Sequence, residues 1–136
     1  MANSKAIGVA YSDQDIVGAD NLMANRTLGY TAQGQSAVTQ LTSKATPVTI
    51  NAPMGVITTA ASSLASATAV NFTVTNSFIS AGSVIALNIG SLATTSYTVS
   101  VRGISGTTFV IGLTNISGGS LAEAVPINFA IITAGT

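Results

Sequence analysis

The stretch "DQDIVGAD" (13–20) is the densest group of acids in the chain. A calcium loop of about 12 residues takes oxygen ligands at its first, third, fifth and last positions, with glycine at the sixth. Asp13, Asp15 and Gly18 fit the first, third and sixth places. Val17 and Ala24 stand at the fifth and last, so the bidentate glutamate is missing. A capped or solvated polar turn accounts for these aspartates, and no metal is expected.

Other chemistry is equally sparse. Histidine and cysteine are absent, which removes the commonest general base, the commonest metal ligand and any thiolate nucleophile. Glu123 is the only acid after Asp20, so a pair of carboxylates for glycoside hydrolysis cannot be assembled in the C-terminal body. Pairing with solvent or with Arg102 accounts for Glu123. A Ser–Lys dyad would have to use Lys5 or Lys44, and neither lies in a nucleophile motif. No GxGxxG, Walker or GxSxG stretch occurs. The expectation is a protein that is not an enzyme and holds no cofactor.

The elements that would carry any site are strands. Apolar and polar residues alternate with period two, the mark of a strand with one buried face. Val70, Phe72 and Val74 share a face, as do Ile85, Leu87 and Ile89; Tyr97, Val99 and Val101; Phe109, Ile111 and Leu113; and Val125, Ile127, Phe129 and Ile131. Weaker strands are expected at 37–42, 48–50 and 54–59. Turn residues separate them, and "SGGS" (117–120) is expected to supply the positive-φ positions of a tight turn. About eight short strands at this spacing predict an all-β body, an antiparallel β-sandwich or jelly-roll-like fold over residues 36–136.

Residues 1–35 lack this alternation. Six of the eight charges lie in the first 44 residues, and large apolar residues are scattered among them. Ser12 could cap a short helix with Asp13 and Asp15 in its first turn. The segment reads as an extended N-terminal arm with at most one short helix. Tyr11, Ile16, Leu22, Leu28 and Tyr30 would then need a partner surface to be buried.

Composition narrows the partners. Four Lys/Arg balance four Asp/Glu, so no basic field exists to attract nucleic acid or an acidic membrane surface. Every apolar stretch is interrupted well short of the ~18 residues a membrane-spanning helix needs. The start has no apolar segment of the kind a secretory signal carries, so no signal is expected. The charged fraction is 6%, against the ~25% usual in soluble proteins. Ser and Thr, 35 in all, must wet the surface instead. So little charge implies that much of the surface faces other protein.

Several stretches together resemble a family of small tailed-bacteriophage virion proteins: "AVTQLTSKATPVTINAPMGVIT" (37–58), "FTVTNSFI" (72–79), "VIALNI" (84–89), "YTVSV" (97–101) and "FVIGLTNISGGSLAEAVPINFAII" (109–132). The family's rhythm is "VTQ-TSK-T-VT-N---G-IT", then "F-LTNS-I", then an "L-N-SGGSL-EA--INFA" ending. One departure is the loop "GSLATTS" (90–96), where the pattern commonly has a "GGT-G" type turn. The resemblance implies a homotrimeric capsid cement or decoration protein on the virion exterior, with the major capsid protein as partner. It implies, as the alternative, a head- or tail-fibre module that binds the host surface. The arm lies outside the resemblance, and its residues Tyr11, Ile16, Leu22, Leu28 and Tyr30 are the candidate capsid contacts.

Overall fold

A computed structural model describes residues 20–21, 23–91 and 96–133. Eight strands form the body: β1 (Gln35–Thr39), β2 (Val48–Thr49), β3 (Met54–Thr58), β4 (Ala69–Thr75), β5 (Val84–Ile89), β6 (Tyr97–Ser105), β7 (Thr108–Asn115) and β8 (Pro126–Ile132). A 3-10 turn, Ala32–Gly34, leads into β1. The strands make two four-stranded sheets, ordered β1-β3-β8-β5 and β2-β4-β7-β6. This is the expected all-β sandwich.

The period-two faces fall as the sequence predicts. Phe72, Val74, Phe109, Ile111, Leu113, Ile127, Phe129 and Ile131 are all buried between the sheets, and Ile85, Leu87 and Ile89 pack against them. Phe109 on β7 and Phe129 on β8 meet across the interior with ring centroids 6.1 Å apart at 51°. They lie on strands flanked on both sides within their sheets, so they bind the two layers at the centre.

The connectivity differs from a set of hairpins. The chain changes sheet at every connection except β6–β7. Because β2 lies in the other sheet, β3 returns beside β1 in the same direction, and the two pair in parallel. The pair β2–β4 is parallel for the same reason. The other four pairs are antiparallel. A parallel pair requires such a crossover, whereas a hairpin enforces the antiparallel sense.

Three local expectations change. The first strand runs 35–39, not 37–42, because the chain turns away once Gln40 is drawn inside. The turn separating the Tyr97–Val101 and Phe109–Leu113 runs is only Gly106-Thr107, since β6 continues through a bulge that leaves Arg102 without a ladder partner between Val101 and Gly103. Gly106, with φ +56°, takes the position where a two-residue hairpin favours glycine. The "SGGS" stretch is not a tight hairpin turn, and neither Gly118 nor Gly119 has positive φ. It joins β7 in one sheet to β8 in the other, so its conformation follows from side-chain hydrogen bonds described below.

Gly55 is required by a close approach rather than by φ. A Cβ there would run into the Ser36 carbonyl oxygen and crowd Ile50. Glycine lets β1 close against β3 while Ile50 fills the space beneath.

Candidate interaction surface and the buried polar clamps

The residues whose types promised chemistry converge at one end of the sandwich, in a structural arrangement. Lys44 is buried. Its Nζ donates to the carbonyl oxygens of Ala60 and Glu123, each at 2.7 Å. Its backbone N–H donates to Ser62 Oγ at 3.1 Å. Gln40, also buried, donates through Nε2 to the Thr46 oxygen at 2.6 Å and to the Lys44 oxygen at 3.3 Å, and accepts from the Ala60 N–H at 3.4 Å. Thr59 Oγ1 accepts from the Val125 N–H at 2.9 Å, while the Thr59 N–H donates to the Val125 oxygen. These bonds tie the β1–β2 loop, the exit of β3 and the entry to β8 into one closed end.

Electrostatics follow from that burial. Loss of water pushes the Lys44 ammonium below its ordinary range, and the Glu123 carboxylate opposes the shift. The Glu123 charge therefore acts on Lys44 and Tyr97. The Tyr97 hydroxyl is enclosed without a hydrogen bond of good geometry. Burial first, and the Glu123 charge second, push it up from 10.0 to about 12. Glu123 acts on it through charge more than through a formed bond. Unfolded tyrosine ionises near ~10, so between there and about 12 the unfolded chain holds fewer protons than the native one. Stability must then fall as pH rises through that window. Lys44 acts in the opposite sense, since its folded ammonium gives up its proton before the unfolded one does. Urea unfolding at stepped alkaline pH checks this: Tyr97→Phe should flatten the decline relative to the unaltered chain.

Two asparagines clamp loops in matching ways. Asn115, at the end of β7, donates through Nδ2 to Leu64 O (2.9 Å) and Gly119 O (2.8 Å). Its Oδ1 accepts from the Ser117 N–H (2.9 Å) and Ser117 Oγ (2.7 Å). Asn76, just after β4, donates to Ala52 O at 2.7 Å and accepts from the Phe78 N–H at 2.9 Å. The Asn115 bonds shape the "SGGS" connection without left-handed backbone. Single-sequence reading missed all these roles. The only available signal was polar residues standing where an apolar alternation ends.

Thus Gln40, Lys44, Asn76, Asn115 and Glu123, which punctuate the quoted stretches, hold loops together. No nucleophile–base constellation is made by the bonds they form. Among the described residues no group of three acids could hold a metal. Asp13, Asp15 and Gly18 lie outside the described residues. No helix of the described residues is long and apolar enough to cross a membrane.

The other end of the sandwich is open and apolar. The Tyr30 hydroxyl donates to the Ile131 carbonyl oxygen at 2.5 Å. This bond lays the arm beside the ends of β3 and β8. A groove of about 540 Å³ results, lined by Leu28, Gly29, Tyr30, Met54 and the β8 terminus from Ala130 to Thr133. Met23 and Leu28 remain 86% and 81% exposed. Of the candidate contacts, Leu28 and Tyr30 thus share one groove. Tyr30 is committed in part to its own body. Tyr11, Ile16 and Leu22 lie outside the described residues, as does 92–95 of the divergent loop.

Comparison with protein families, with curated proteins and with solved structures finds no match to this chain.

Proposed function

We propose that this protein is a structural component of a tailed-bacteriophage virion: a cement or decoration protein that binds across capsid subunits and stabilises the shell. The observation that carries this reading is the arm. Met23 and Leu28 lie almost fully exposed on a segment held to the body at Tyr30. Large apolar side chains presented this way call for an external surface to cover them. Three further points support the reading. The chain is poor in charge, its polar residues of interest are used as clamps, and its stretches resemble virion proteins. Several copies engaging neighbouring shell subunits would gain strength by avidity, without a large contact at any one.

Deleting residues 1–29 tests this, because it removes Leu28 and spares Tyr30. The strands lie outside the deletion, so circular dichroism and melting should hardly change. Binding to particles that lack the protein should fall at least tenfold, a loss of about 1.4 kcal/mol. Undiminished decoration by the truncated chain would show that the grip lies elsewhere. Densitometry of purified virions is an independent check, since a cement protein should approach the shell subunit in copy number and a fibre module should fall far below it.

A further inference from the structure

We propose that Arg102, laid across Gly112 on the outer face of the β2-β4-β7-β6 sheet, is a contact site for a carboxylate side chain of a shell subunit. The proposal deepens the function above and rests on it, adding a second point of contact on the layer opposite the arm.

Arg102 is the only charged residue in the four strands of this sheet. It sits at the bulge between Val101 and Gly103, and bulges commonly re-aim a side chain. The neighbouring outward position on β7 is Gly112, paired with Asn71 of β4 on one side and Ser100 of β6 on the other. A Cβ at Gly112 would collide with Arg102 Nε, and would stand 3.2 Å from Arg102 Cδ and 3.0 Å from Asn71 Oδ1. The arginine stem therefore runs from β6 over β7 toward β4, in a trough that glycine leaves open. Gly112 lies buried beneath it, on the outer side of the sheet.

Packing holds this guanidinium, and its hydrogen bonds are left to be made. Among the described residues no oxygen accepts from it and no acid pairs with it. Arg102 as a whole stays exposed. A stem already laid down fixes the planar fork before a partner arrives, so less side-chain freedom is lost on binding. That fork of N–H donors matches a carboxylate with two parallel bonds. One positive charge on a neutral face balances a single carboxylate, whereas a phosphate dianion would keep a charge uncompensated. The exposed side chains of Asn71, Thr98 and Ser100 surround the site with further polar groups.

The surroundings favour a protein as the source of that carboxylate. The aromatic residues of this sheet, Phe72, Tyr97 and Phe109, are all buried on its inner side, so its outer face offers no ring for an acidic sugar to stack on. Protein interfaces are enriched in arginine within a polar rim, and arginine is among the residues that dominate their binding energy. Position agrees with the function. The Leu28–Tyr30 segment lies against the other sheet, beside Met54 and Ala130. Arg102 faces out from the opposite layer. One copy of the chain can thus touch one shell subunit through the arm and a second through Arg102, which binding across subunits requires.

Binding of the full chain to particles that lack it, before and after their surface carboxylates are amidated, tests the proposal. Arg102→Met should weaken decoration at least tenfold. Arg102→Lys keeps the charge but loses the fork, and should weaken it several-fold. On amidated particles the unaltered chain should bind no better than Arg102→Met, because the group it grips is gone. Circular dichroism establishes that each variant folds. Should changes at Arg102 disturb folding, the nearly isosteric Asn71→Asp puts an acid beside the guanidinium; it should occupy the fork and weaken decoration likewise. Equal decoration by Arg102→Met, full decoration by Arg102→Lys, or an advantage of the unaltered chain over Arg102→Met that survives amidation overturns the proposal. A chain that decorates no particle sinks the capsid function and this inference with it. A chain that decorates particles with indifference to Arg102 sinks this inference alone.

Discussion

Replacing Phe129 with alanine is expected to lower the stability of the folded chain by about 3–5 kcal/mol, the range for buried aromatic truncations. The side chain is 2% exposed, on the third strand of its sheet. Its ring reaches the Phe109 ring of the opposite layer. Removing it opens a cavity where neither sheet can easily collapse, because Ile57, Ile111, Leu113 and Ile127 around the core are already fully enclosed. Phe109→Ala should cost a similar amount. The double variant should lose less than the sum, since the ring–ring contact is counted in both singles and such pairs carry about 0.5–1.5 kcal/mol. Thr73→Ala, on the outer side of β4, serves as the control and should cost about 0.5 kcal/mol or less. Denaturant melts of the four proteins make the comparison. A Thr73 effect as large as that of the phenylalanines would mean that the strand faces are reversed.

Lys44 is expected to give the second large effect. Lys44→Met keeps most of the stem volume and deletes the ammonium. The carbonyl oxygens of Ala60 and Glu123 then lose a buried charged donor, which should cost about 1–3 kcal/mol. Lys44→Ala removes the stem as well and should be worse. The loss should be felt where the clamp closes, in the loop after β1, the exit of β3 and the approach to β8. Hydrogen exchange would locate it: the Gln40, Ala60 and Val125 amides should lose protection more than those at the Gly106 turn. Arg102→Met, a change of the same kind at an exposed bulge, should stay within about 0.5 kcal/mol. If Lys44→Met melts like the unaltered chain, the buried lysine contributes nothing to closing that end.

Much of the fold was legible in the residues because strand periodicity is local. Side chains alternate with every residue, so "VNFTVT", "FVIGL" and "VPINFAI" each declare an inner face without reference to any neighbour. That was enough for the all-β class, for the strand number, and for the burial of Phe72, Phe109, Phe129 and their companions. Sheet membership was not legible. Alternation reports which side of a strand is buried, and is silent on which strand lies next to it. The two parallel pairs depend on β2 and β3 choosing opposite layers, a decision made by the whole core.

The site illustrates the same division. The absence of histidine and cysteine, and the place of Glu123 as the one acid after Asp20, are facts of composition. The use of Lys44 was decided by tertiary structure alone. Its ammonium is satisfied by carbonyls 16 and 79 residues away, and in a linear reading it was one more charge near the polar N-terminus. The trough under Arg102 was hidden likewise. Asn71, Ser100, Arg102 and Gly112 come from three separated strands, and each looks ordinary in its own segment. Only the pairing of β4, β7 and β6 makes them one surface, because a sheet face is built from chain-distant neighbours and a sequence records only adjacent ones.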